Sequence, residues 1–376
     1  MKIGLVSAEF PPERGGVQTY AWEYAHELAR RGHEVVVFTQ PHPGGEAQTD
    51  ALRIEPLLRL RRRLDREIFR REKVDIWHAL NAAYSWMALD FAPVFVTVHG
   101  NDFVCPYQPV ARLDLRERFH LPAGSAIDQH LGLWLTRRLI ARSLPRAAHI
   151  FTNSRFTERH FLGVHPACRG HTTPAMVGVS GHYFSPPRPP RRAGPPRLLT
   201  VSRLVERNKN VDLVLRALAT LKASWPFHYT IVGAGELLAP LQTLARDLEI
   251  ADRVTFTGTL SPPALHEQLL DSDLFVLTTS ANEQGYEGFG IVYLEANACG
   301  CPTLAARLGG AVEAVQEHIS GMFVTEPTPE AIAAAVLRFL SHEVHFESEA
   351  CIEFARTFSW SRVAGICLEH YERHLA

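Results

Sequence analysis

Short apolar runs alternate with amphipathic stretches along the whole chain. Residues 3–7 have the pattern of a buried strand, and a Pro- and Gly-rich loop follows them. In residues 17–32, apolar side chains such as Tyr24 and Leu28 recur at helical spacing. Gly32 is a residue type that commonly ends a helix. This alternation predicts a parallel sheet covered by helices on both faces.

The rhythm of strand and helix is interrupted once. Further strand-like runs are residues 34–39, VDIWHA, PVFVTVHG, AAHIFTN, RLLTVSR, FHYTIVGAG, RVTFTG, DLFVLTT and CPTLAA. The Pro- and Arg-rich residues 185–196 cannot form a regular core element and indicate a linker. The pattern therefore predicts an α/β chain of two Rossmann-like domains, residues 1–184 and 197–358, with parallel sheets facing a central cleft.

Composition agrees with a globular protein of two domains. The chain has 376 residues, of which 46% are hydrophobic and 21% charged, which excludes disordered and collagen-like classes. No apolar run reaches the roughly 18 residues that span a bilayer, and the first residues lack the core of a signal peptide. The six cysteines form no C-x-x-C pair, so we expect free thiols and a cytoplasmic protein.

The net charge of −1 makes nucleic acid an unexpected partner, but the charge is unevenly distributed. Residues 1–184 carry a net +5 and residues 185–376 a net −6. In the first part, the segment LLRLRRRLDREIFRREK (57–73) interleaves arginines with leucines near helical spacing. Two interpretations stay open: a helix on the sheet with a solvated basic face, or peripheral contact with anionic lipid at the inner face of the membrane.

Ligands of open parallel sheets bind beyond the carboxyl ends of the strands, so the loops there carry the candidate chemistry. Gly15 and Gly16 follow the first strand and open a helix, where glycine lets backbone amides approach an anion. His99 ends the strand PVFVTV. Arg203 follows LLTVS and Lys209 precedes the next helix, so two cations could neutralise a diphosphate. The alternatives are a tight turn for the glycines, a structural role for His99, and two solvated charges for Arg203 and Lys209. His78 ends VDIW in a similar position and is ranked lower, as a neighbour that shapes the pocket of the first domain.

Two other patterns are weaker evidence for a ligand site. Gly233-x-Gly235 lacks the third glycine of the dinucleotide fingerprint, because residue 238 is Leu238, so a nicotinamide dehydrogenase is a poor alternative and a tight turn is favoured. Asp271-x-Asp273 directly precedes a predicted strand. We therefore expect it to cap a helix or lead into the strand, and we predict no metal site.

The segment ANEQGYEGFGIVYLEANACG (281–300) is the most informative. It places Glu287 in a Gly-rich loop between a strand and a helix, suited to holding sugar hydroxyls. Ile291 and Glu295 lie four residues apart and share a helical face, so Glu295 can accept two hydroxyl hydrogen bonds, as from a ribose. The alternative is a helix cap with incidental carboxylates.

An ordered set of motifs along nearly the whole chain resembles a known family. These motifs are PPERGGVQTY, RGHEVVVFT, VDIWHAL, VTVHGNDF, SRLVERNKN, VTFTGTL and EGFGIVYLEANACG. The chain resembles the family-four retaining nucleotide-sugar glycosyltransferases, which have the two-domain GT-B architecture. It departs from them at residues 177–180, where Val-Gly-Val-Ser replaces the usual Asn-Gly-Val-Asp, and in the NEQGY insert before Glu287.

The resemblance implies a role for each candidate in the first domain and at the diphosphate. Gly15 and Gly16 match the glycine loop near the diphosphate and acceptor. His99 matches the histidine close to the transferring sugar. Arg203 and Lys209 match the pair that holds the leaving diphosphate.

The remaining matches concern the donor. Glu287 corresponds to the glutamate at the donor sugar and Glu295 to the ribose-binding glutamate. The loop that touches sugar and phosphate comprises Gly288, Phe289, Gly290 and Ile291, and the base-binding segment lies around Thr259 and Leu260.

The resemblance also implies the reaction: metal-independent, retaining transfer of a hexose from a nucleoside diphosphate sugar to an acceptor hydroxyl in glycolipid, polysaccharide or other glycoconjugate synthesis. It implies no cofactor beyond the sugar nucleotide, and a terminal helix near residues 359–376 that packs back on the first domain. Asn101, Asp102, Phe103 and Tyr107 are expected to line the acceptor side. The alternative function is a non-catalytic nucleotide-sugar-binding subunit or sensor.

Overall fold

The computed structural model describes residues 1–12, 15–42, 52–113, 125–184, 194–281 and 285–376. The chain divides into two compact units. Unit 1 comprises Met1–Gly178 and Trp360–Ala376, and unit 2 comprises Val179–Ser359. Of the predicted linker, residues 185–193 lie outside the described residues.

Within its described residues, unit 1 contains a seven-stranded parallel sheet of order β3-β2-β1-β4-β5-β6-β7. The strands are β1 (Lys2–Val6), β2 (Glu34–Phe38), β3 (Arg53–Glu55), β4 (Ile76–Ala79), β5 (Val94–Val98), β6 (His149–Thr152) and β7 (Thr172–Pro174). The central strands are buried along their length, as expected for a sheet covered on both faces. The chain order reverses between β1 and β4.

The helices of unit 1 each bury one face, against the sheet or against a neighbouring helix. They are α1 (Gly16–Arg30), α2 (Arg62–Phe69), α3 (Ala126–Ser143), α4 (Arg155–Val164) and, at the end of the chain, α12 (Trp360–Leu375), with a 3-10 helix at Ala82–Leu89. Helix α1 buries Tyr24 and Leu28, as their spacing predicts, and also Tyr20. The chain turns at Gly32, which has a φ of 84°. The Tyr24 hydroxyl hydrogen-bonds the Tyr371 hydroxyl of α12 at 2.8 Å, which fixes α12 on α1.

Unit 2 repeats the design with a six-stranded parallel sheet of order β10-β9-β8-β11-β12-β13 in its described part. The strands are β8 (Arg197–Val201), β9 (His228–Val232), β10 (Val254–Gly258), β11 (Leu274–Leu277), β12 (Thr303–Ala306) and β13 (Gly321–Val324). The helices are α5 (Val211–Leu221), α6 (Leu238–Asp247), α7 (Pro262–Asp271), α8 (Ile291–Ala298), α9 (Ala311–Ala314), α10 (Pro329–Leu340) and α11 (Ser348–Arg356). Here the order reverses between β8 and β11, which makes a crevice at their carboxyl ends.

The predicted α/β class with two parallel sheets is confirmed. Residues 179–184, which the sequence assigned to the first domain, belong to unit 2. The reason is local: the Val179 N–H donates to the Phe358 carbonyl at 3.2 Å, and the Tyr183 carbonyl accepts the Cys299 thiol at 3.5 Å.

Two further properties concern the chain as a whole. All six cysteines are free thiols, as expected; five are buried and Cys105 is partly exposed. In the described ranges, none of the helices combines the length and apolar character needed to cross a bilayer.

Candidate active site

The crevice of unit 2 brings together two candidates from loops that are distant in sequence. Lys209 closes the 3-10 turn Arg207–Lys209 after β8, and Glu287 lies in the loop after β11. The Lys209 ammonium donates to Glu287 Oε2 at 2.9 Å. Both side chains are largely buried, with 17% and 15% of their surface exposed.

Asn210 explains why these loops meet. It adopts the left-handed conformation, with φ of 56°, that asparagine tolerates better than most residues. Its side-chain amide donates to the Thr278 carbonyl at 2.5 Å, and the Ser280 hydroxyl donates back to Asn210 Oδ1 at 3.2 Å. The Ser280 N–H also donates to the Asn208 carbonyl at 2.8 Å. The sequence analysis missed this bridge, although an asparagine just before a helix was its visible signal.

Each cation of this corner is paired with a carboxylate. Burial lowers the pKa of Lys209, but the neighbouring carboxylates of Glu287 and Glu206 outweigh it, so the pKa is raised and the ammonium stays charged. Arg203 is more exposed and donates to Glu206 Oε1 at 2.5 Å. Two cations therefore stand beside carboxylates that an incoming diphosphate can replace.

The Glu287–Gly290 loop is shaped by a second pair of glycines. The Gly310 N–H donates to the Glu287 carbonyl at 2.8 Å. A Cβ on Gly310 would lie 2.0 Å from the Gly288 carbonyl oxygen, and one on Gly309 would lie 2.4 Å from that of Glu287. Only glycine permits this approach, and the sequence analysis did not identify the pair.

The residues around the start of α8 differ in which of their atoms, backbone or side chain, are accessible to a ligand. Gly290 precedes α8 with φ of 89°, and the first turn of α8 carries no acidic side chain, so its amides favour an anion. Phe289 is 2% exposed and packs on Phe358 with ring centroids 5.8 Å apart, so any ligand contact from Phe289 would come from its backbone. Ile291 is partly exposed, and Glu295, one turn later, is 7% exposed.

Gly233 and Gly235 make the tight turn that the sequence favoured. Their Cβ atoms would lie 1.8 Å from the Ser202 carbonyl oxygen and 2.3 Å from that of Leu204. They therefore let the loop after β9 lie against the loop that carries Arg203. Farther along the same edge of the sheet, beyond β10, Thr259 is exposed and Leu260 partly buried.

Asp271 and Asp273 have a structural role, as expected. Asp271 forms an ion pair with the Arg197 guanidinium, and Asp273 Oδ2 accepts the Arg197 N–H at 2.9 Å. They fix the start of β8 beside β11. Among the described residues, no three His, Cys, Asp or Glu side chains are placed together to bind a metal ion.

In unit 1, His99 follows β5 and is 5% exposed. Its ring lies edge-on to Tyr20 at a centroid distance of 4.7 Å, and its buried Nε2 has no hydrogen-bond partner in the described structure. Burial lowers the pKa of His99 to about 4, so the ring is neutral near pH 7. The His99 carbonyl accepts the Tyr107 hydroxyl at 3.3 Å and the Asp102 N–H at 3.1 Å.

Three neighbours of His99 differ from expectation. Asp102 and Phe103 are 1% and 3% exposed, so they do not line an open acceptor surface, whereas Tyr107 is exposed. Their burial follows from the turn after β5, which directs both side chains inward. His78 is fully buried and has a partner at each ring nitrogen, the Tyr371 hydroxyl and Thr97 Oγ1, so it is a structural histidine.

Gly15 and Gly16 lie at the start of α1, whose first turn also lacks an acidic residue. A Cβ on Gly16 would meet open space, and one on Gly15 would approach only the flexible Gln18 side chain. Because glycine has no side chain, these two residues leave the N-terminus of α1 open. Neither glycine is needed to avoid a clash with the backbone. The preceding residues 13 and 14 lie outside the described residues.

Comparison with known proteins gives a consistent result for both units. Residues 14–177 match the family model described as Glycosyltransferase Family 4, and residues 184–358 match the one described as Glycosyl transferases group 1. The GDP-mannose-dependent alpha-(1-6)-phosphatidylinositol monomannoside mannosyltransferase of Mycolicibacterium smegmatis is 30% identical over 362 residues, covering 88% of this chain and 87% of that protein.

Two more distant matches extend the comparison. The D-inositol 3-phosphate glycosyltransferase of Mycolicibacterium smegmatis is 27% identical over 407 residues, covering 97% of this chain and 87% of that protein. Among solved structures, the sucrose-phosphate synthase from Thermosynechococcus elongatus superposes with a TM-score of 0.77 at 19% identity, covering 99% of this chain and 98% of that one.

Proposed function

Because the chain belongs to the family-four glycosyltransferases of GT-B architecture, which act on nucleotide sugars, we propose that it transfers a hexose with retained anomeric configuration and without a metal ion. The observation that carries the proposal is the Lys209–Glu287 pair in the crevice between β8 and β11. It places a cation suited to a diphosphate next to a carboxylate suited to sugar hydroxyls.

The residues of unit 2 would act on the departing diphosphate. As the bond between the anomeric carbon and the diphosphate oxygen breaks, negative charge grows on that oxygen. Lys209, Arg203 and the amides at the start of α8 would stabilise this charge where it develops. These groups supply the positive charge that a divalent ion supplies elsewhere, which supports a metal-independent reaction.

The sugar would be held by carboxylates and by His99. Glu287 would accept sugar hydroxyls once the diphosphate has taken its place on Lys209, and Glu295 would accept ribose hydroxyls. A double displacement would need a carboxylate nucleophile at the anomeric carbon, whereas Glu287 would be taken up by the sugar hydroxyls. We therefore assign same-face attack: the acceptor oxygen bonds to the anomeric carbon and its proton passes to the leaving phosphate. The neutral His99 would orient the sugar or face its positive charge with the backbone carbonyl.

The relatives supply the first candidates for donor and acceptor. Two of them are named for GDP-mannose with a phosphatidylinositol mannoside and for D-inositol 3-phosphate. The net charge of +5 in residues 1–184 also suits an anionic acceptor. We propose GDP-mannose as the first donor to test and a phosphate-bearing hydroxyl compound as the acceptor class.

The test is a screen of GDP-mannose, GDP-glucose, UDP-glucose and UDP-galactose by nucleotide release, with and without phosphatidylinositol lipids and inositol phosphates. Products are analysed for anomeric configuration, and the assay is repeated with EDTA. Retained configuration and full activity in EDTA are expected. Nucleotide-sugar binding without turnover would favour the sensor, and an inverted product or loss of activity in EDTA would refute the corresponding part of the proposal.

Peripheral membrane contact is proposed on separate grounds. On and before α2, Leu57 and Leu64 are 38% and 45% exposed, and Arg59 and Arg63 are exposed beside them. An exposed apolar and basic surface of this kind suits anionic lipid at the inner, cytoplasmic face of a membrane. Cosedimentation with phosphatidylglycerol vesicles at low salt should fall on replacing Arg59 and Arg63 by Glu. Equal binding by the wild type and by this variant would refute the proposal.

A further inference from the structure

Asp102 is a buried carboxylate that bonds directly to the backbone of His99. Its Oδ1 accepts the His99 N–H at 3.1 Å, and its Oδ2 accepts the Ala82 N–H at 3.0 Å. One side chain thus joins the turn after β5 to the segment after β4. Asp102 itself is 1% exposed, so it contacts no substrate.

The His99 ring is anchored to the same segment. A hydrogen bond to the Leu80 backbone holds the imidazole, and the Leu80 N–H in turn donates to the Val6 carbonyl of β1 at 2.8 Å. Backbone and ring of His99 are therefore fixed at two points, Ala82 through Asp102 and Leu80 directly. The His99 carbonyl accepts the Tyr107 hydroxyl and the Asp102 N–H, so Nε2, which is buried, is the polar ring atom without a partner in the described structure.

The position calls for a carboxylate. Asparagine would offer one acceptor and two N–H donors, so it would lose one of the two backbone bonds and set donor against donor. In the described chain, Asp102 has no ion pair with lysine or arginine, and burial raises its pKa to about 7 while the amide donors lower it. The amide hydrogen bonds offset part of the cost of burying this carboxylate and tie it to the His99 backbone.

We propose that Asp102 is a positioning residue of the transfer step, which fixes the His99 backbone and thereby sets the imidazole and the carbonyl against the transferring sugar. This inference rests on the proposed function, because it assumes that His99 acts on that sugar. It assigns Asp102 to the reaction although the side chain is closed off from solvent.

Asp65 provides a matched control in the same unit. It is fully buried, and its carboxylate also accepts two backbone amides, those of Arg59 at 2.8 Å and Arg61 at 3.2 Å, but none of its bonds reaches His99. Asp102→Asn and Asp65→Asn should lower the melting temperature by similar amounts. Only Asp102→Asn should lower kcat, by about 30-fold or more, with the KM for GDP-mannose, or for the donor found active in the screen, changed less than about threefold.

A double-mutant cycle with His99→Ala distinguishes an effect that Asp102 exerts through His99 from a general loss of structure. If Asp102 acts through His99, the combined loss of kcat in the double variant is much smaller than the product of the single losses. Multiplicative losses, or equal kcat in the two Asp→Asn variants, would overturn the inference. If Asp102→Asn does not fold, Asp102→Glu takes its place: it keeps the carboxylate but displaces it, and unchanged kcat would overturn the inference. A wild-type protein inactive with every donor would instead refute the proposed function.

Discussion

The Lys209 ammonium and the Glu287 carboxylate lie 2.9 Å apart although the residues are 78 positions apart in the chain. Each group is the natural partner of a different part of a nucleoside diphosphate sugar, the cation for the diphosphate and the carboxylate for the hydroxyls. Both groups are largely buried, and each offsets part of the cost of removing the other's charge from water. Donor binding would exchange this ion pair for two ligand contacts.

Lys209→Ala is expected to weaken binding of GDP by about 10- to 100-fold. A hydrogen bond to a charged group contributes about 1.5–3 kcal/mol, and the buried Glu287 left without its partner adds repulsion towards the phosphates. Isothermal titration calorimetry with GDP measures the effect. Arg207→Ala is the control, because Arg207 is an exposed cation in the same 3-10 turn that forms no ion pair with Glu287. Equal affinities for wild type and Lys209→Ala would contradict the assignment.

Unlike Lys209→Ala, Glu287→Gln should lower turnover without weakening GDP binding. The substitution removes the nearer of the two carboxylates beside Lys209, the other being Glu206, so GDP should bind as tightly as in the wild type or more tightly. Turnover should nevertheless fall by about 100-fold, because the contacts to the sugar are lost in the transition state. Calorimetry with GDP and the rate of GDP release from GDP-mannose measure the two effects. Loss of GDP affinity as large as that of Lys209→Ala would show that Glu287 supports the diphosphate site rather than the sugar.

Much of this architecture is visible in the sequence, because the central strands are continuous apolar runs and the candidate side chains stand where those runs end. The strands that the pattern did not predict are β3, β7 and β13, which lie at the edges of the sheets and have three or four residues each. The three-residue strands β3 and β7 are partly exposed and too short to leave a periodic signal, and β13 is mostly buried but has only four residues, of which the first is glycine.

The candidate site was predictable where the signal is local and not where it depends on tertiary contacts. The segment 287–295 reveals Glu287 and Glu295 by its own pattern. The close approach of Gly310 to the Gly288 carbonyl joins residues 22 positions apart. Neither the sequence around Gly288 nor that around Gly310 indicates this contact. The inward side chain of Asp102 likewise depends on the Ala82 amide of another loop.

Gly310→Ala should disable the donor loop. Its Cβ would lie 2.0 Å from the Gly288 carbonyl oxygen, which no rotamer change relieves, so the loop must move. We expect about 2–4 kcal/mol lower stability, as for other core overpacking, and loss of detectable GDP binding. Thermal unfolding and calorimetry measure both. Gly181→Ala in the same unit is the control, since its Cβ would meet nothing within 4 Å. Native GDP affinity in Gly310→Ala would contradict the proposed role of this contact.

Unit 1 should lose stability in mild acid because of His149. This residue is 9% exposed, and its ring stacks on that of His370 with centroids 3.7 Å apart. Burial lowers the pKa of His149 to about 3, and the charges of His370, His171 and Arg373 contribute to the shift. The unfolded chain binds a proton at His149 near pH 6.5 and the folded chain does not. Stability therefore falls as the pH drops from about 6.5 towards 3, by about 1.4 kcal/mol per pH unit for this residue.

His78 adds to this acid sensitivity, since its pKa is also lowered to about 3 by burial. Asp102 opposes it, because a pKa raised to about 7 makes the folded state the better proton acceptor between about pH 4 and 7. His149→Gln isolates one contribution: an amide can still bond Thr173 but takes up no proton. Between pH 7.5 and 5, this variant should lose about 2 kcal/mol less free energy of unfolding than the wild type. An equal loss of free energy of unfolding in the wild type and in His149→Gln would show that folding does not lower the pKa of His149.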